Sequence, residues 1–170
     1  MPIKSMDMMF QHELGDIYDA EHQFLEGQRK MLEGATDPKL QQMLTRHMEE
    51  SEQQIKTLEE VYGLLGRQPE REHCSGAAGL VTEANKLMRE TAGAPELRDY
   101  AIAGAMAKVE LYEISSYEGL ISAATEMGNK EAARLFERNL RQEEKTHELV
   151  EETEPQLLQA ALRAGQEAPQ

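Results

Sequence analysis

The segment "GRQPEREHCSG", Gly66–Gly76, decides how the chain is folded. Pro69 lies between two glycines in a run of charged residues, a composition that cannot sustain a long helix. On either side the sequence is dominated by Leu, Glu, Gln, Ala, Met and Lys, all good helix formers, and tryptophan is absent. The segment therefore opens a connection between two helical units. The remaining breakers define those units.

Before it, Ser5 is an N-cap for a helix running to about Glu33, with Gly34 at its C-terminal end. Asp37 and Pro38 start a second helix that ends near Leu65. After it, a shorter helix is expected over about Ala78–Thr91, closed by "AGAP" at Ala92–Pro95. A third long helix covers about Glu96–Met127, Gly128–Asn129 makes a tight turn, and a fourth runs from about Lys130 into the Ala160s.

Long helices one and two share a short turn, as do three and four, so each pair is an antiparallel hairpin. The roughly thirty residues between the pairs are enough to cross a bundle about 45 Å long. One long crossover within four helices is the ferritin-like arrangement. The expected fold is all-α: a ferritin-like four-helix bundle with an extra short helix in the crossover. Residues 1–160 form one domain, and residues 161–170, which include "RAGQEAPQ", a flexible tail.

A formal net charge of -14 disfavours nucleic acid and anionic membrane surfaces as partners. No apolar run approaches the length of a membrane span, and "MPIKSMDMMF" lacks the apolar core of a secretory signal. A cytoplasmic location is expected. The single cysteine, Cys74, excludes an internal disulfide and reads as a small core or loop residue.

The apolar stripes carry the functional signal. They read Phe10, Leu14, Ile17, Glu21, Phe24, Gln28, Met31 in the first helix and Met43, His47, Glu50, Gln54, Leu58, Val61 in the second. The third gives Ile102, Met106, Val109, Glu113, Tyr117, Leu120, with Glu110 one turn before Glu113. The fourth gives Phe136, Leu140, either Glu143 or Glu144, then His147 and Val150.

Each stripe is interrupted by a carboxylate near mid-helix, and in a bundle of equal helices those midpoints share one layer. Buried like charges without cations are costly, and divalent or trivalent metal ions would neutralise them. Carboxylates with one or two imidazoles suit iron, or manganese, better than a thiolate-seeking metal. The spacing Glu144-x-x-His147 places a carboxylate and an imidazole on one helical face and favours Glu144 over Glu143. His47, one turn before Glu50, reads as a hydrogen-bonding neighbour of the ligands. Tyr18 reads as packed with its hydroxyl satisfied, while Tyr117, one turn from a proposed ligand, reads equally as packed in the same way or as hydrogen-bonded to a ligating carboxylate.

The stretches "LGDIYDAEHQF" (Leu14–Phe24), "HMEESEQQI" (His47–Ile55), "GLVTEAN" (Gly79–Asn85), "KVELYEISSY" (Lys108–Tyr117) and "EEKTHE" (Glu143–Glu148) together resemble the YciF/YciE-type ferritin-like family of bacterial stress-associated proteins. The resemblance reaches to about residue 155. It implies a bundle, often a homodimer, with a two-metal centre at mid-bundle. Carried onto this chain, the implied ligands are Glu21, Glu50, Glu110, Glu113, Glu144 and His147. Two departures from the wider di-iron pattern stand out. Glu50-x-x-Gln53 replaces Glu-x-x-His, which weakens the second metal position, and His147 stands where the family is often acidic. The function expected is a di-iron-carboxylate protein that reacts Fe(II) with oxygen or peroxide in stress or iron handling. The competing expectation is a dimeric helical scaffold with a structural or vestigial metal site.

Overall fold

The computed structural model describes residues 2–167, in five helices: α1 (Met6–Gly34), α2 (Pro38–Leu64), α3 (Ser75–Glu90), α4 (Pro95–Glu126) and α5 (Lys130–Glu167). The all-α class and the helix order are those the breakers imply. Three ends differ. Helix α3 begins at Ser75 because the Cys74 thiol accepts the Ala77 N–H and caps it. Gly34 remains inside α1; the left-handed glycines are Gly66 and Gly128, each closing a long helix. Where a flexible tail is expected, α5 continues as helix to Glu167, and Ala168–Gln170 lie outside the described residues.

The four long helices form a closed ring in the order α1, α2, α5, α4, each antiparallel to its two neighbours. Pairings such as Tyr18 with Glu59, Gln54 with Asn139 and Phe10 with Phe136 set this register. Helices α2 and α4 are therefore parallel across the diagonal, as a full-length crossover requires. Helix α3 lies outside the ring, over the seam between α1 and α4. Two apolar clusters occupy the bundle, one around Phe10, Leu14, Phe24 and Phe136, the other around Leu40, Leu44, Ile102 and Val150. The polar layer described below lies between them.

Buried aspartates tie the connections to the bundle. Asp99 of α4 accepts the Thr36 N–H and hydroxyl and the Asp37 N–H, fixing the α1–α2 turn. Asp19 of α1 accepts the Cys74 N–H at 2.9 Å, the Arg71 guanidinium at 2.7 Å and the Gln23 amide. Burial pushes the Asp19 carboxyl up, but these donors outweigh it and hold the group below its ordinary range. The strap passes so close to α1 that a Cβ on Gly15 would lie 3.0 Å from Glu72 Cβ and 3.2 Å from its backbone nitrogen. Glycine at 15 is what lets the Glu72 N–H bond to the Gly15 carbonyl at 3.1 Å.

Replacing Asp19 by alanine strands the buried Cys74 N–H and frees Arg71. A loss of roughly 2–3 kcal/mol is expected from the unpaired donor and the lost charge-assisted bond. Asp19→Asn keeps an acceptor and should lose less. Urea unfolding curves decide it: equal midpoints for wild type and Asp19→Ala would show that the strap is not held here.

Candidate metal centre

The inner seam of α5 reads Phe136, Asn139, Glu143, Thr146, Val150, Thr153, Leu157, all buried at alternating steps of three and four. That of α2 reads Leu40, Leu44, His47, Ser51, Gln54, Leu58, Val61 on the same rule. With Glu21 from α1 and Glu110, Glu113 and Tyr117 from α4, these seams bring four glutamates and one histidine into a single layer. Glu21, Glu110, Glu113 and Glu143 are 0 % exposed and His47 is 1 %.

One ligand atom from each of His47, Glu110, Glu113 and Glu143 lies within 4.8 Å of all the others. Ligands of one first-row ion, bound at about 2.0–2.2 Å, can be no more than about 4.4 Å apart, so the cluster is within a few tenths of an ångström of that spacing. His47 Nε2 is 2.9 Å from Glu110 Oε1, but the two are not aligned as donor and acceptor. Neither nitrogen of His47, neither oxygen of Glu110 or Glu113, and only one oxygen each of Glu21 and Glu143 finds a hydrogen-bond partner. No lysine or arginine is buried among the described residues. Buried polar atoms are normally paired, so a set of unpaired donors to a cation fits a metal ion.

Neutral groups hold the outer edge of the layer. The Tyr117 hydroxyl donates to Glu21 Oε1 and accepts the Asn139 amide at 2.9 Å, which leaves Glu21 Oε2 as the unpaired oxygen. The Gln54 amide donates to Glu143 Oε1 and leaves Glu143 Oε2 unpaired in the same way. Such partners orient carboxylates around a metal. Tyr18, by contrast, donates to Glu59 on the periphery, as its bland reading has it.

Electrostatics follow from burial. Glu21 is pushed up to about 8, first by desolvation and then by Glu143, against the pull of the Tyr117 hydroxyl and His47. Glu113 is held well above its ordinary range by desolvation, then by Glu143, Glu21 and Glu110, and Glu143 by desolvation and Glu110. The Tyr117 hydroxyl is raised by desolvation and by Glu21, so it remains a donor.

Of the six ligands named from the sequence, the structure brings together Glu21, Glu110 and Glu113. Glu50 stands at the rim: it is half-buried, paired with Arg46 at 3.0 Å and with the Thr146 hydroxyl at 3.3 Å. Glu144 is exposed, and His147 is half-buried with Nδ1 3.9 Å from Glu151 on the outer face. The reason is angular. Successive helical residues are 100° apart and the buried seam runs between the Glu143 and Thr146 directions, so Glu144 points well away from it and His147, 100° beyond Thr146, falls at its edge. On α2 the histidine precedes Glu50 by a turn, and Gln53, where a histidine was sought, is exposed. His47 and Glu143 are thus the members that spacing of Glu and His failed to select.

The family model described as a domain of unknown function, DUF892, matches residues 5–163. The chain belongs to the DUF892 family. YciF of Escherichia coli K12 is 34% identical over 147 residues, 86% of this chain and 88% of that protein. The crystal structure of YciF, described as an E. coli stress protein, superposes with a TM-score of 0.82 at 30% identity, covering 98% of this chain and 100% of that one. YcfI of Rhodopseudomonas palustris, described as a candidate structural protein, gives 0.83 at 37% identity over 88% and 94%. This DUF892 chain is therefore YciF-type in sequence and in fold.

Raised carboxyls give the metal-free protein a distinctive pH response. Folded Glu21 and Glu110 hold protons up to about pH 8, whereas unfolded glutamate releases them near 4.5. Between these values the folded state binds more protons, so stability falls as pH rises, by on the order of 1 kcal/mol per pH unit for each such carboxyl. Chelated protein should therefore be more resistant to urea at pH 5 than at pH 8. Glu113→Gln should flatten the slope and raise stability at pH 8. A flat or opposite profile in wild type would mean that these carboxyls are solvated.

Proposed function

We propose that this chain is a di-metal-carboxylate protein of the cytoplasm that binds two ions, iron in the first instance, and reacts Fe(II) with dioxygen or peroxide in stress or iron handling. The observation that supports it is the sealed layer of four glutamates and one histidine whose inward atoms lack partners. The donor set of oxygens with one imidazole suits iron or manganese. His47, Glu110, Glu113 and Glu143 would hold the better-furnished position, and Glu21 would serve a second alongside shared carboxylates. Bound Fe(II) would supply the electrons for reducing an oxidant. The residues of the chain exclude water and orient the carboxylates: Tyr117 through Glu21, Gln54 through Glu143. In the free site they hold protons that metal binding must release.

A second reading is favoured by the closure of the layer. A ligand set drawn wholly from buried protein groups is the usual form of a structural site, whereas a catalytic one keeps a position open. The protein would then be a metal-stabilised scaffold, acting as a pair of copies. Helix α4 suits pairing, because it carries exposed Leu97 and Leu111 on its outer side.

Anaerobic Fe(II) titration of chelated protein, followed by oxygen or peroxide, separates the readings. Two equivalents bound and a ferric absorbance in the near ultraviolet support the redox reading; one or two tightly held, unreactive ions support the scaffold. His47→Ala and Glu143→Ala should abolish tight binding, whereas Glu144→Ala and His147→Ala should leave it unchanged. Tyr117→Phe should weaken it by roughly 10–100-fold, the usual effect of losing a partner behind a ligand. Loss of binding in Glu144→Ala but not in Glu143→Ala would overturn the assignment.

A further inference from the structure

The layer is sealed, so an ion bound there has to pass a seam between helices. Phe24, Met31, Met106 and Val109 wall the α1–α4 seam beneath α3. Leu25 and Ile55 wall the α1–α2 seam, where the Gln28 amide is turned to the Ser51 hydroxyl at 3.1 Å. An ion crossing such walls would shed its hydration with nothing in exchange. The α2–α5 seam differs: exposed Arg46, half-buried Glu50 and buried Thr146 form a polar series from solvent to the layer.

Glu50 is the middle step. Its Oε1 accepts from Arg46 Nε and Nη2, both at 3.0 Å, and its Oε2 accepts the Thr146 hydroxyl at 3.3 Å across the seam. Thr57 and Thr153 turn their hydroxyls back to carbonyls of their own helices; Thr146 reaches across to Glu50 instead. Both anchors lead inward. Three residues before Glu50 on α2 is His47, and three before Thr146 on α5 is Glu143, each one helical turn away. The charge of Glu50 is felt in the layer: Glu110 is pushed up to about 8 by desolvation and then, against the Glu143 hydrogen bond, by Glu21 and Glu50. The hold on Glu50 is light, because an ion pair with a half-exposed arginine on the same helix is weak and a single hydroxyl at 3.3 Å adds little. Its carboxylate can leave Arg46 by side-chain rotation, without moving a helix.

We infer that Glu50 is the entry carboxylate of the metal centre: it takes a divalent ion from water in place of Arg46 and passes it through the α2–α5 seam to His47 and Glu143. The inference rests on the metal reading above and adds to it the route. Glu50 is then a carrier and not a resident ligand. A carrier speeds arrival and departure alike, so its loss changes rates and leaves affinity untouched, whereas loss of a resident ligand weakens affinity.

Stopped-flow mixing of chelated protein with Co(II), followed by its visible absorbance, gives the rate of entry, and mixing of loaded protein with excess chelator gives the rate of release. Glu50→Gln should slow both by roughly 10-fold or more and leave the dissociation constant unchanged. Arg46→Gln, which frees the carboxylate, should speed both. Glu49→Gln, the same charge change on the exposed neighbour, should alter neither. Unchanged rates in Glu50→Gln, no gain in Arg46→Gln, or an equal slowing in Glu49→Gln overturns the route. So does weakened affinity with faster release in Glu50→Gln, the behaviour of a resident ligand. If the wild type takes up no ion, the metal reading falls and the route with it; if it binds and the rates do not move, the metal reading stands and only the route falls.

Discussion

Four carboxyl groups buried in one layer, without a lysine or arginine to meet them, are the constraint on which the structure turns. Burial alone raises each carboxyl, and each raises its neighbours further, so the layer is stable only with protons or with metal ions in it. The apolar clusters above and below are what make this layer affordable, since they supply the burial energy that a polar layer cannot. The neutral donors complete it. Tyr117, itself held by Asn139, satisfies one oxygen of Glu21, and Gln54 satisfies one of Glu143; the other oxygens of the layer are left unpaired.

The same constraint accounts for the attention given to the connections. A bundle that carries its charge at mid-height must keep its register, because a slip of one turn would replace Glu143 with Asn139 or Thr146. Asp99 fixes the turn between α1 and α2, and Asp19 fixes the crossover strap against α1. Both are themselves buried carboxylates, but each meets several donors. Asp19, on α1 two residues before Glu21, is held low by its donors, whereas Glu21 is pushed high. Asp19 is less deeply desolvated and meets N–H donors and a guanidinium, whereas Glu21 is fully desolvated beside Glu143.

How much of this was legible in the sequence depends on the element. The helices and the crossover were, because Gly66, Pro69, Pro95 and Gly128 interrupt a chain otherwise made of helix formers. The presence of a mid-bundle acidic layer was legible too, since Glu21 and Glu113 each replace an apolar residue in a clear stripe. The register within α5 was not, because Glu144 and His147 form an attractive i, i+3 pair on a face that turns out to be wet. The sequence did hold the resolving signal. Phe136, Glu143, Val150 and Leu157 recur every seven residues, and the buried seam follows that repeat. Long helices average out local pairings, so a repeat sustained over three heptads is better evidence of orientation than one Glu–His spacing. On α2 the same count links Leu40, His47, Gln54 and Val61 and leaves Glu50 at the rim.

Charge arithmetic then bears on the number of ions. Glu21, Glu110, Glu113 and Glu143 together carry four negative charges when ionised, and a neutral His47 adds none. One divalent ion would leave two of these charges buried and unmatched, which the fold could tolerate only by keeping two protons. Two divalent ions would match all four. The donor set is nevertheless lopsided, because the single imidazole stands beside Glu110, Glu113 and Glu143, and Glu21 is backed by a phenol instead. On the proposed metal reading, charge would favour a pair of ions and ligand quality would rank them: the position beside His47 would fill first, and the one beside Glu21 would fill because the carboxylates left over need it.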